Sequence, residues 1–358
     1  MPSLILIVPG PLETRTGGYE YDRRMVAGLR AGGWTVGVRE LDDSFPRPTA
    51  AALDDAARVL AAIPDGTTVV IDGLAFGAMP AEVEREASRL RLVALVHMPL
   101  AAEIGLDADT AARLESSERR ALDSATLVIV TGRTTISALA RYGIGRDRIA
   151  LVEPGTDRAP LARGSGGPTV ELLSVATLNA GKGHEVLFRA LGMIPQRNWH
   201  LTCAGSLERD RSIVERLRVQ LRADGLEDRV TLVGELDAVG LAASYDRADL
   251  FVLATLHETY GMAVAEALAR GLPVISTTTG AIPDLVCGDE PAAGLLVSPG
   301  DPQALAGALT RVLGDTGLRQ QLVSAARRKR EALPTWEDAS RKMAAALERM
   351  AIDGRFPF

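Results

Sequence analysis

Leu250-Phe-Val-Leu-Ala-Thr-Leu-His-Glu258-Thr-Tyr-Gly-Met-Ala-Val-Ala-Glu266-Ala-Leu-Ala-Arg-Gly271-Leu-Pro273-Val-Ile-Ser276 is the stretch that decides the fold. Leu250–Leu253 is a short apolar run of the kind that makes a buried parallel strand. A polar loop follows, Thr255 to Thr259, carrying His257 and Glu258. Gly261 and an alanine-rich helical run come next, and the run stops at Gly271 with Pro273 just beyond. Val274–Ser276 then begins a second strand. The order is strand, loop, helix, strand, and the loop lies at the carboxyl end of its strand, where open α/β sheets bind ligands.

The chemistry of that loop narrows the ligand. Amides near Tyr260, Gly261 and Met262 point out of a helix N-terminus, which favours an anion. A carboxylate beside an anion is repelled unless it faces donors, and sugar hydroxyls are donors that carboxylates accept well. Glu258 stands before the helix and Glu266 inside it, with seven residues between them. A ligand with hydroxyls on both sides of a diphosphate would use both; a nucleotide-sugar has that shape.

These residues carry a resemblance. The Glu-x7-Glu spacing of Glu258 and Glu266 resembles the motif of family 4 retaining glycosyltransferases (glycosyl transferases group 1), enzymes of the GT-B fold. The likeness continues through Gly271-Leu-Pro-Val-Ile, Gly280-Ala-Ile-Pro-Asp284 and Gly294-Leu-Leu-Val-Ser-Pro-Gly-Asp301.

Outward from that stretch, apolar runs alternate with helical segments. Candidate strands are Leu4–Val8, Thr35–Val38, Val69–Ile71, Leu92–Val96, Leu127–Val130 and Ile149–Val152. A second series is Leu172–Ala176, His200–Cys203, Val230–Val233, Leu250–Leu253, Val274–Ser276 and Leu295–Val297. Between the series lies the glycine-rich Arg163-Gly-Ser-Gly-Gly-Pro168, which reads as a flexible hinge. The fold class expected is α/β: GT-B, two Rossmann-like domains with parallel sheets facing a central cleft. The boundaries are residues 1–160 for the N-terminal, acceptor-side domain and 168–335 for the C-terminal, nucleotide-sugar-binding domain. By the resemblance, 336–358 is a C-terminal helix that crosses back to the first domain; the hinge implies that donor binding closes the cleft.

Composition excludes several classes. The chain of 358 residues is 47% hydrophobic and 24% charged, as in ordinary soluble proteins. A net charge of −6 argues against nucleic acid. Leu4–Val8 is too short and lacks the basic flank of a signal segment, and no run is long enough to span a membrane. The first domain carries more acids than bases, so at most peripheral membrane contact is expected. Two distant cysteines, Cys203 and Cys287, suit a reducing cytoplasm and have no zinc-ligand spacing.

Four further segments carry candidate residues. Gly17 and Gly18 follow the first strand, where paired glycines let backbone approach a phosphate; the resemblance places them at the donor diphosphate. His97 follows Leu92–Val96 at a strand tip, and the resemblance puts it beside the transferred hexose, with no need for it to act as a general base. Lys182, one of three lysines in the chain, stands between Gly181 and Gly183 and can serve a diphosphate as a point charge. The family's usual arginine is missing near Thr177, Leu178 and Asn179, with Arg15 and Arg133 as possible substitutes. Gly205 and Leu236 resemble the family's nucleotide-side loops. Asp107-Ala-Asp109 spells a metal-binding Asp-x-Asp, but it precedes a helical run and reads as helix capping.

The resemblance therefore implies a retaining hexosyltransferase with catalytic His97, Lys182 and Glu258, and the helix-start reading of Asp107 and Asp109, with the positive groups at the diphosphate, implies that it is metal-independent. Its donor-binding set is Gly17, Gly18, Gly205, Leu236, Thr259, Tyr260, Gly261, Met262 and Glu266. No cofactor is expected beyond the nucleotide-diphosphate-sugar substrate, with a UDP-sugar favoured, and the acceptor is a hydroxyl of a small soluble molecule. Transfer to a membrane lipid or polysaccharide, and nucleotide-sugar epimerisation on the same fold, are the alternatives.

Overall fold

Each apolar run becomes a parallel strand in the computed structural model, which describes residues 1–288 and 291–353. The last five residues of the expected 336–358 segment lie outside the described residues. The chain divides into one unit of Met1–Gly155 with the segment from Pro334 onward, and a second of Thr156–Leu333.

In the first unit the order is β1 (Ser3–Pro9), α1 (Gly17–Ala31), β2 (Thr35–Leu41), α2 (Ala50–Ala61), β3 (Thr68–Asp72), α3 (Gly73–Phe76), α4 (Pro80–Glu86), β4 (Arg91–Val96), α5 (Ala108–Asp123), β5 (Leu127–Val130), α6 (Arg133–Arg141) and β6 (Ile149–Leu151). The sheet runs β2-β1-β3-β4-β5-β6, with every pair parallel. Strand alternation splits the apolar residues between two faces. Ile7, Val69, Ile71 and Leu92 pack with Leu60, Val83, Leu122 and Leu139. Leu4, Leu6 and Val8 pack with Met25 and Leu29.

The second unit runs β7 (Val170–Val175), α7 (His184–Met193), β8 (Trp199–Ala204), α8 (Arg211–Ala223), β9 (Val230–Gly234), α9 (Ala238–Arg247), β10 (Leu250–Val252), α10 (Met262–Ala269), β11 (Val274–Thr277), α11 (Ile282–Val286), β12 (Gly294–Val297), α12 (Pro302–Gly314) and α13 (Thr316–Lys329). Its parallel sheet runs β12-β11-β10-β7-β8-β9. Leu250 and Val252 face α7, α8 and α12, whereas Phe251 and Leu253 face α9, α10 and α11. Helices thus cover both faces, as a sheet of continuous apolar strands requires. The last helix, α14 (Trp336–Asp353), returns to the first unit and packs on α1, where Met343 and Leu347 join Met25 and Leu29. The approach is close: a Cβ on Gly28 would lie 2.5 Å from Ser340.

The hinge reading of Arg163–Pro168 needs correction. The unit boundaries fall at 155/156 and 333/334 instead of in 161–167 and at 335/336. The glycine-rich stretch is fastened to the second unit. Arg163 Nε donates to Asp246 Oδ2 at 2.7 Å, Gly164 N to the Asp246 carbonyl at 2.9 Å, and Ser165 N to Asp249 Oδ1 at 3.0 Å.

Candidate functional site

The strand order of the second unit reverses between β7 and β10, so the loops leaving those two strands diverge and open a crevice. Lys182 and Glu258 sit on those loops. Lys182 ends a short 3-10 turn, Ala180–Lys182, whose cap is Asn179: its Oδ1 accepts from Lys182 N at 3.2 Å. Asn179 therefore folds the lysine loop at the position near which the family's arginine is missing. Gly183 follows at φ +67, and a Cβ there would lie 2.0 Å from the Ala254 carbonyl, so only glycine lets the two loops touch.

The Glu258 loop is braced from three directions. Thr255 Oγ1 donates to Gly181 O at 3.2 Å, Thr277 Oγ1 donates to Thr255 O at 2.7 Å, and Ala281 N donates to Thr259 O at 3.1 Å. Glu258 N is held by Thr279 Oγ1 at 3.3 Å. The result is a direct ion pair: Lys182 Nζ to Glu258 Oε2, 2.7 Å, with both side chains partly open. His184, next along, adds no charge. It is buried, both ring nitrogens lack a partner, and burial with the Lys182 charge depresses it to about 4.

Gly261 caps α10 at φ +97 with no side-chain cap, so the first amides of α10 are left for another acceptor. Tyr260 packs against Ala265 and Ala281, and Thr259 and Met262 are half-buried around it. Glu266, in the same helix, accepts from the buried Tyr245 hydroxyl at 3.0 Å; Arg270 stacks on that ring, 4.2 Å from its centroid. Gly205 has a structural reason of its own: a Cβ would lie 1.9 Å from the Ala176 carbonyl. Leu236 is half-buried just after β9, beside Gly240.

In the first unit the order reverses between β1 and β3. Thr16 caps α1, which begins at Gly17 and Gly18. The missing side chain at Gly18 makes room for His97, whose Cδ2 would lie 3.3 Å from a Cβ there. His97 Nε2 stands 3.2 Å from Asp22 Oδ1 and 3.4 Å from Asp72 Oδ2. Burial alone would depress the imidazole, but the two carboxylates outweigh it and push His97 up to about 10. Burial chiefly, opposed by His97, raises Asp22 to about 6. Sequence reasoning missed both acids. Helical spacing held the signal for Asp22, since Asp22, Met25, Val26 and Leu29 share the inward face; Asp72 directly ends a strand.

The loop after His97 is tied down by Glu118, whose Oε2 accepts from Leu100 N at 3.0 Å. Burial pushes Glu118 up to about 7. Asp107 caps α5, its Oδ1 accepting from Thr110 N at 2.8 Å. Among the described residues, the one group of three acids and histidines close enough to share a metal ion is Asp22, Asp72 and His97, with donor atoms within 4.8 Å of one another. Among the described residues, no helix is long and apolar enough to cross a membrane.

Comparison with known proteins extends this geometry. Residues 169–315 match the family model described as glycosyl transferases group 1. A D-inositol 3-phosphate glycosyltransferase of Corynebacterium diphtheriae is 28% identical over 244 residues, 63% of this chain and 56% of that relative. The chain thus matches about half the length of such curated relatives. The sucrose-phosphate synthase of Thermosynechococcus elongatus superposes with a TM-score of 0.82 at 22% identity, covering 98% of this chain and 100% of the other. Anabaena HepE, solved in complex with UDP and glucose, superposes with a TM-score of 0.76 at 17% identity, covering 97% and 100%. These likenesses show a GT-B fold, and the group 1 resemblance read from the sequence is borne out.

Proposed function

Residues 169–315 match the glycosyl transferases group 1 model, and from that likeness we propose that this chain is a retaining hexosyltransferase. It moves a hexose from a nucleotide-diphosphate-sugar, a UDP-sugar first among the candidates, to a hydroxyl of a small soluble acceptor. The observation that carries the reading is the Lys182–Glu258 pair at the reversal of strand order in the second sheet. A cation and a carboxylate in contact there suit a ligand with a diphosphate beside sugar hydroxyls.

The roles follow from charge. Leaving-group charge grows in the transition state, so Lys182 and the amides at Tyr260–Met262 stabilise the departing diphosphate. Glu258 turns from Lys182 to the sugar hydroxyls, and Glu266 takes the ribose hydroxyls. Gly205, Leu236, Thr259 and Tyr260 border the nucleotide. In the first unit, Gly17 and Gly18 serve the diphosphate and His97 a sugar hydroxyl. With the lysine and the helix terminus supplying positive charge, the transfer needs no metal ion, and Asp107 is already engaged as a cap. The relative named for inositol 3-phosphate supports a small acceptor.

The test is incubation with UDP-, GDP- and ADP-sugars and a panel of soluble polyols and sugar phosphates, with excess chelator in a parallel arm. The expected product keeps the donor's anomeric configuration by NMR, at an unchanged rate with chelator. An inverted anomer, a glycolipid as the only product, or an epimerised donor without acceptor would refute the reading. Activity lost to chelator and restored by manganese would refute metal independence.

A further inference from the structure

Asp22 and Asp72 have no place in the roles above, yet they surround His97. The three residues come from α1, the end of β3 and the position after β4. Asp22 is fully buried and Asp72 nearly so, at 4% exposure. An ionised carboxylate can only accept hydrogen bonds, so the imidazole is the donor between them. Its Nε2 faces Asp22 Oδ1 at 3.2 Å and Asp72 Oδ2 at 3.4 Å. The ring is held from other sides too. Gly18 leaves no side chain above Cδ2, and Tyr21 meets the ring edge-on at 5.2 Å between centroids. Thr131 Oγ1 donates to the His97 carbonyl at 3.4 Å.

We propose that Asp22 and Asp72 are positioning residues: they fix a proton on His97 Nε2 and aim the ring, so that Nδ1 is the nitrogen offered to a hydroxyl of the transferred sugar. The ligand in this statement rests on the transferase reading; the place of the proton does not. The charges facing the ring agree. Two acids outweigh the cost of burying an imidazolium, Arg23 favours the ionised form of Asp22, and the Tyr21 phenol stays neutral because burial raises it. At neutral pH both ring nitrogens then carry protons. His97 works as a fixed hydrogen-bond donor toward developing negative charge and not as a base.

The experiment uses the full chain labelled with [15N]histidine and long-range proton–nitrogen spectra from neutral to alkaline pH, with His97→Gln to assign the signal. The expected result is a proton on Nε2 throughout and a ring that stays cationic well above the ordinary histidine range. Asp22→Asn should return the ring towards its ordinary value. It should also lower kcat about tenfold or more, within what a positioned proton-donating group contributes, with the donor KM unchanged and the alkaline limb of the pH profile moved to lower pH. Asp72→Asn, whose amide oxygen can still cap Leu74 N, serves if Asp22→Asn does not fold. An unprotonated Nε2 would overturn the proposal. So would ring signals that shift or broaden stoichiometrically on adding Zn2+ or Mn2+ alone, because a metal ion would then take the proton's place. Should no donor and acceptor pair turn over, the transferase reading fails, while the spectra still decide where the proton sits.

Discussion

Lys182 Nζ lies 2.7 Å from Glu258 Oε2, and the two residues stand on loops that leave adjacent strands in the middle of a parallel sheet. The lysine is therefore held beside the residue proposed to bind the sugar. Lys182→Ala should lower kcat about 10²–10³-fold, the range for removing one preorganised electrostatic group. Folding stability should change by less than about 1 kcal/mol, because a partly open ion pair contributes little. Steady-state kinetics beside thermal melts check both. A change confined to the donor KM would make Lys182 a binding residue without a catalytic role.

Gly280 links the fold to that loop. It sits at φ +59, and a Cβ there would lie 2.2 Å from the Glu258 carbonyl. Gly280→Ala must strain its own backbone and push the Glu258 loop away. It should cost more than about 1 kcal/mol in stability and lower turnover as well. Gly167 is the control: nothing lies within 4 Å of a Cβ there and its φ is not positive. Gly167→Ala should be neutral or stabilising by about 0.4–1 kcal/mol. Urea denaturation of the two variants tests the contrast, and equal losses would refute it.

The twelve strands among the described residues were legible because a strand covered on both faces has no polar alternation, only a short apolar run between breakers. The Lys182–Glu258 pair was legible as two separate motifs, and the contact between them follows from sheet order, which no local stretch encodes. The hinge was misread for the opposite reason. Arg163–Pro168 has the composition of a free linker, but Asp246 and Asp249, about eighty residues on, bind its backbone. Gly18 was read as a phosphate-side glycine and Gly205 as part of a nucleotide-side loop; each also has a neighbour distant in sequence, His97 at 3.3 Å from a Cβ on Gly18 and the Ala176 carbonyl at 1.9 Å from a Cβ on Gly205. The acids around His97 were missed because Asp22 lies in Tyr-Glu-Tyr-Asp-Arg-Arg, a run that looks solvated until the helix phase is set by Met25 and Leu29.

Glu118 makes stability depend on pH. Burial raises its carboxyl from 4.5 to about 7, so the folded chain holds a proton that the unfolded chain has lost across that window. Stability from this group is complete below about 4.5 and is lost as pH rises through about 7. Glu118→Gln keeps an oxygen for Leu100 N and removes the titration. The wild type should lose on the order of 1–3 kcal/mol relative to the variant between pH 5 and pH 7.5. Chemical denaturation at the two pH values measures it, and parallel losses in both proteins would count against a buried, titrating Glu118.

Glu266 already has a partner, and that partner makes its substitution informative. Tyr245 OH donates to Glu266 Oε2 at 3.0 Å, and the Ala263 carbonyl lies 3.3 Å from the same hydroxyl. When Glu266 is removed the buried phenol still has an acceptor in reach, so the fold should lose no more than about 1 kcal/mol. Donor binding should suffer more. A charge-assisted hydrogen bond to a ribose hydroxyl is worth about 1.5–3 kcal/mol, which is roughly ten- to hundredfold in affinity. Tyr245→Phe separates the two effects, because it keeps the carboxylate and removes one hydrogen bond that orients it. Its affinity should fall between those of the wild type and Glu266→Ala. Calorimetry with the preferred nucleotide-sugar, and with its 2′-deoxyribose counterpart, completes the cycle. Wild type should lose affinity for the deoxy donor, and Glu266→Ala should bind the two donors alike. Equal deoxy penalties in both proteins would remove Glu266 from the ribose and leave it as a brace for Tyr245.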